Sequence, residues 1–217
     1  MSRPIAIFDL DGTITDSAPL ITDCVARTLQ DLGLAPQSPK ELRRWVGPPL
    51  SVSFRDFAGL SERDITPAIE RYRTHYSGRM LEVPVFPHMC ETLQTLYTNQ
   101  IILAVASSKI ERLLSPILEK LDLDSYFSVV CGSREDDPYQ TKGEVIADAL
   151  QRLKRMEVDT STTFMIGDRH HDIDGGYENQ LTTVGVTWSG TEVSEFAQAD
   201  HIVDDPRQLV DIVCPRN

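Results

Sequence analysis

Positive charge, sulfur and aromatic rings are all scarce in this chain, and each shortage excludes something. Only 21 Lys and Arg stand against 33 Asp and Glu, a formal charge of -12. Such a surface disfavours nucleic acid polymers and anionic membranes as general partners. It would also repel a phosphate ester at long range, so a site for one needs local cations or a metal. The four cysteines, Cys24, Cys90, Cys131 and Cys214, are scattered and show no CxxC or His/Cys ligand spacing. Each reads as a small buried apolar residue, and a reducing compartment is the expectation. No stretch of 18 apolar residues occurs and the amino terminus lacks a leader pattern, so a cytoplasmic, soluble protein is expected. With no exposed apolar stripe in view, a monomer is expected too.

What the chain does contain is organised around Ile5-Ala6-Ile7-Phe8-Asp9-Leu10-Asp11-Gly12-Thr13. A short apolar run reads as a buried strand and stops at two carboxylates. Alternation would point Asp9 and Asp11 to one side, with Leu10 between them pointing away. Gly12 allows a sharp turn, and Thr13 can hydrogen-bond within it. Two acids this close repel, which calls for a positive group between them. An ordinary Asp-Gly turn is the plainer alternative.

Beyond Pro19 the pattern turns helical. Leu20, Ile21, Cys24, Val25, Leu29 and Leu32 recur at helical spacing and Gly33 can end the run. Further helices are expected over 39–46 and 50–58. A longer one carries Ile65, Ile69, Tyr72 and Tyr76, starting behind either Ser61 or, better, Thr66 with Pro67 as first residue. Val83-Pro84-Val85-Phe86-Pro87 closes the segment as an extended connector. This places an all-helical insert at 14–84 within a core of 1–13 and 85–217, its two crossings side by side as a hinge. Within it, Arg43 and Arg44 precede a Gly47-Pro48-Pro49 turn and could reach an anionic substrate. Adjacent helical positions do not share a face, so at least one is a solvated residue.

From Pro87 onward strands and helices alternate: helix 89–97, strand 101–106, helix 110–121, strand 127–131, helix 143–156, strand 162–166, helix 173–179, strand 182–186, strand 201–203 and helix 206–213. With 41% apolar residues the chain can cover both faces of a parallel sheet. The fold class is therefore α/β, a Rossmann-like parallel sheet flanked by helices, with a small helical cap inserted. Ligands in such folds collect beyond the carboxyl ends of the strands.

Three further strand ends carry chemistry. Ser107-Ser108-Lys109 follows the second strand, where Ser107 can donate to a phosphoryl oxygen beside the next helix's amino end, or simply cap that helix. Lys142 stands at a helix amino end, where the dipole disfavours a cation, so a carboxylate or phosphate partner is implied. An exposed lysine is the alternative, and Lys109, Lys120 and Lys154 read as ordinary surface lysines. Arg134 is a lesser candidate. Gly167-Asp168-Arg169-His170-His171-Asp172-Ile173-Asp174 sets two acids four apart behind a glycine. Zinc would need more imidazole or thiolate than this, whereas carboxylates suit Mg2+. Trp188 either shapes the site entrance or packs on the sheet.

The order of these four segments resembles the haloacid dehalogenase-like hydrolase superfamily, and the insert resembles the helical cap of its phosphoglycolate phosphatase-like branch. The resemblance implies Asp9 as nucleophile, Asp11 as general acid/base, and Ser107 and Lys142 as the second and third motifs. It also implies Mg2+ at Asp9, the Asp11 carbonyl, Asp168 and Asp172, and backbone N–H groups of Leu10 and Ser108 on the transferred group. The Lys-Gly at 142–143 departs from the Lys-Pro of many relatives. The implied activity is hydrolysis of a small phosphorylated metabolite: phosphoglycolate, a 5'-nucleotide or a sugar phosphate. A sugar phosphomutase and a non-catalytic phosphate-binding regulator are the alternatives on the same scaffold. Asp11 argues against a dehalogenase, and a cap with Lys40 alone against a Schiff-base phosphonate hydrolase.

Overall fold

Alternation decides the core. In the computed structural model, which describes residues 3–214, Ala6 and Phe8 of strand β1 (Ile5–Phe8) join one buried cluster while Ile5 and Ile7 join another on the opposite face. Both faces are therefore dry, as a central parallel strand requires. Five more strands, β2 (Ile102–Ile110), β3 (Phe127–Ser133), β4 (Thr163–Gly167), β5 (Thr182–Val186) and β6 (His201–Val203), complete a six-stranded sheet ordered β3-β2-β1-β4-β5-β6. Every neighbouring pair is parallel. Phe8 lies level with Val105 and with Ile166, so Asp9, Ser107 and Asp168 emerge at one edge of the sheet.

Helices α5 (Met89–Thr98), α6 (Leu114–Lys120), α7 (Lys142–Arg155), α8 (His170–Glu178) and α9 (Gln208–Val213) flank the sheet. Val145, Ile146, Ala149 and Leu153 of α7 cover the Ile5/Ile7 face. Strand β2 runs four residues past its expected end, pairing with β3 as far as Ile110 and Ser133 through an irregularity after Ser107. The following helix consequently begins only at Leu114, behind a 3-10 turn, and its amino end does not stand next to Ser107.

Between β1 and α5 the chain builds the inserted helical cap from α1 (Ala18–Asp31), α2 (Pro39–Arg43), α3 (Leu50–Ala58) and α4 (Glu62–Ser77). Its two crossings are hydrogen-bonded side by side, Asp16 N–H to Pro84 O at 2.9 Å and Phe86 N–H to Ile14 O at 3.0 Å. Helix α4 starts behind Ser61, and Pro67 lies inside it. One lost backbone bond at Pro67 is outweighed by burial of Ile65, Ala68, Ile69, Tyr72 and Tyr76 along one face. Helix α2 ends at Arg43, three residues short of expectation, because the chain turns there towards Gly47.

Trp45 is buried in the cap, its ring edge-on to Phe54 at 4.9 Å, with its indole N–H on Gln37. Phe54 is fully buried, so Phe54→Ala is expected to cost about 3–5 kcal/mol. A fall in denaturant midpoint with unchanged slope would show it. Cys24 and Cys131 are buried as expected, but Cys90 is exposed on α5. Among the described residues no helix is long and apolar enough to cross a membrane.

Candidate active site

The end of β1 sets the geometry. Asp9 follows the strand with its backbone N–H on Ile166 O at 2.9 Å, and only 4% of it is exposed. The chain then doubles back, Leu10 O accepting the N–H groups of Ile14 and Thr15. The Thr15 hydroxyl donates within this turn, whereas the buried Thr13 hydroxyl has no partner, so the stabilising threonine is the later one. Leu10 is wholly buried, leaving only its backbone available to a ligand.

Gly12 adopts φ +86°, and a Cβ there would sit 2.2 Å from Asp168 Oδ2. Backbone strain and collision thus both require glycine. Gly12→Ala is expected to push Asp168 aside and to weaken divalent-cation binding at least about tenfold, since misplaced ligands cost affinity on that scale. Titration calorimetry with Mg2+ or Mn2+ measures it.

Asp168 follows β4, and Asp172 lies in the first turn of α8. Asp172 accepts the Arg169 N–H at 3.0 Å through one oxygen and the Lys142 ammonium at 2.8 Å through the other. Lys142 opens α7 behind Thr141, whose hydroxyl and Glu144 form a reciprocal cap. Its ammonium also lies 2.6 Å from Asp9 Oδ1. At Gly143 helix α7 passes close to α8, where a Cβ on Gly175 would lie 2.9 Å from the Gly143 backbone nitrogen. That close approach brings Lys142 onto Asp172.

Asp9, Asp168 and Asp172 offer carboxylate oxygens all within 4.8 Å of one another. Burial pushes Asp9 up to about 6; Lys142 opposes the rise, while the charges of Asp172 and Asp11 add to it. Asp168 is driven well above the usual carboxylate range by burial first, then by Asp172 and Asp9. Burial disfavours the Lys142 charge, yet Asp172 and Asp9 hold its ammonium above the ordinary lysine range. One Asp168 oxygen is buried without a hydrogen-bond partner. An all-carboxylate set with an unpartnered oxygen and mutual repulsion fits a hard divalent cation. Asp11 is outside this cluster, and its carboxylate is held instead by the end of β2.

There it meets Lys109, 2.7 Å from Asp11 Oδ2 and almost wholly buried. Lys109 is thus not the surface residue the sequence suggested, whereas Lys120 and Lys154 are exposed. The strand is irregular after Ser107, so no simple alternation marked Lys109 in the sequence. Asp9, Asp11, Ser107, Ser108 and Lys109 line a cavity of about 90 Å3 roofed by the cap. Ser107 is 1% exposed, and its hydroxyl oxygen accepts the Lys109 N–H at 3.3 Å.

Arg43 and Arg44 do not line this cavity. Both are exposed and border a second one on the far side of Asp168, with the Arg44 guanidinium 4.3 Å over the Phe57 ring. The cap arginine that does line the first cavity is Arg73 on α4, joined by Arg134, itself paired with Asp137 at 2.8 Å. Arg73 stands four residues after Ile69 and three before Tyr76, the helical spacing that shares their face. Asp174 is exposed. His170 contacts Glu195 at 3.3 Å, and burial with the neighbouring His170 lowers His171 to about 4. Trp188 donates its indole N–H to Thr13 O at 3.0 Å, tying the loop after β5 to the loop after β1.

The haloacid dehalogenase-like hydrolase family model matches residues 6–186. A phosphoglycolate phosphatase from Agrobacterium fabrum is 35% identical over 93% of this chain and 88% of its own length. Pyrophosphatase PpaX from Oceanobacillus iheyensis is 29% identical over 98% of each chain. The crystal structure of a predicted phosphatase from Clostridium acetobutylicum superimposes with a TM-score of 0.90 at 32% identity, covering 98% of this chain and 99% of the other. The chain therefore belongs to the haloacid dehalogenase-like hydrolases, in the phosphoglycolate phosphatase-like branch with a cap insertion. Fold and carboxylate cluster together support a phosphatase.

Proposed function

We propose that this chain hydrolyses the phosphomonoester of a small phosphorylated metabolite through an aspartyl-phosphate on Asp9. The observation that carries the reading is the crowding of three buried carboxylates around one point, with the Lys142 ammonium in contact with two of them. Asp9 would attack phosphorus in line, its approach to a dianion eased by Lys142. Ser107 and the N–H groups of Leu10 and Ser108 would hold the transferred group. Asp11 would give a proton to the departing alkoxide and later take one from water. Asp9, Asp168, Asp172 and the Asp11 carbonyl would hold Mg2+, which supplies positive charge to the phosphoryl oxygens.

Arg73, rather than Arg43 or Arg44, is the cap cation lining the cavity beside Asp9 and Asp11. Phosphoglycolate, a 5'-nucleotide and a sugar phosphate are the candidate substrates. The test is phosphate release across a panel of phosphomonoesters, with kcat/KM compared among the best, with Mg2+ and after chelation. Metal-dependent release of inorganic phosphate from a small phosphomonoester, lost after chelation, is expected. Turnover that needs a bisphosphate activator and frees no net phosphate would instead identify a mutase.

A further inference from the structure

The geometry points to Lys109 and Tyr76 as positioning residues that fix the Asp11 carboxylate only while the helical cap is closed. This rests on the phosphatase reading. Asp11 Oδ1 is buried without a partner, and Oδ2 is held by the Lys109 ammonium at 2.7 Å. A lysine side chain has four rotatable carbons and needs anchoring of its own. That anchor comes from the cap. Lys109 Nζ donates to the Tyr76 hydroxyl at 2.8 Å and lies 4.3 Å from the centre of the Tyr76 ring. Tyr76 is 1% exposed and stacks on Tyr72 at 5.7 Å, both rigid on α4.

Other contacts also join cap to core: Ser51 to Pro138 O, Tyr139 to Glu62, and Arg169 to Val46 O. None of these touches Asp11. The line from α4 through Tyr76 and Lys109 does, and it breaks when the cap swings away and takes Tyr76 with it. Proton handling is then available only in the enclosed site, where water access is controlled.

Pre-steady-state turnover of nitrophenyl phosphate separates this role from others. Its phenolate departs with little help from an acid, so phosphoenzyme formation appears as a burst of nitrophenolate. Hydrolysis of the phosphoenzyme still needs Asp11 as base. Lys109→Met is expected to keep a full burst at near wild-type rate while steady-state kcat falls about 10–100-fold, part of what a well-placed acid–base group contributes. Tyr76→Phe, which keeps the ring, is expected to lose about 3–10-fold in the same pattern. Should Lys109→Met fail to fold, Tyr76→Phe carries the test. Wild-type hydrolysis rates in Tyr76→Phe would overturn the proposal, as would a burst that slows in step with turnover or a loss confined to KM. A wild-type enzyme that forms no phosphoenzyme overturns the phosphatase reading beneath it, a different result from normal bursts in every variant.

Discussion

Asp9→Asn is expected to lower kcat by about ten-thousand-fold or more, the scale on which loss of a nucleophile acts. The substitution keeps shape and removes one negative charge from a crowded, buried site. Burial already pushes the Asp9 carboxyl up to about 6, so a neutral amide relieves desolvation and the repulsion from Asp172 and Asp11. Lys142 loses one partner but keeps Asp172 at 2.8 Å. The metal-free variant should accordingly melt within a few degrees of wild type while its activity disappears. Phosphate-release kinetics and a thermal melt on the same sample check both halves. A folded variant with ordinary turnover would remove Asp9 from the chemistry.

Lys142→Met should be damaging in a different way. It leaves Asp9 and Asp172 facing each other, 5% and 3% exposed in their side chains, without the ammonium between them. Breaking a buried charge pair costs about 3–5 kcal/mol, because the surviving charges remain desolvated. Activity should fall about a hundredfold or more through loss of charge stabilisation at phosphorus. Divalent cation should recover part of the lost stability, since a second positive charge enters the same cluster. Denaturant unfolding with and without Mg2+ reads this directly. A variant as stable as wild type in chelator would mean that the pair contributes little.

These two residues were legible because strand and helix punctuation gave them away. A strand ending in Asp9, and a cation at the wrong end of a helix at Lys142, are local anomalies. The parallel sheet was legible for a similar reason, its strands being apolar on both faces. Contacts made by ordinary-looking residues across long sequence distances were not. Lys109 follows two serines and looks like any surface lysine until β2 continues to Ile110 and aims it at Asp11. Arg43 and Arg44 looked attractive beside a Gly-Pro-Pro turn, but α2 ends at Arg43 and both face away from the cavity over Asp9. The cap arginine that lines that cavity is Arg73, a charged residue interleaved on the same face as the apolar stripe by which its helix was assigned. The start of α4 was misplaced because local proline preference was weighed without the burial that overrides it.

Acid-quenching the enzyme during turnover and mapping the phosphoryl group by peptide mass spectrometry addresses the centre of this account. The label is expected on the peptide spanning β1, at Asp9, and to vanish in Asp9→Asn. A phosphoryl group trapped on any other side chain, with Asp9 unmodified at full turnover, would contradict it.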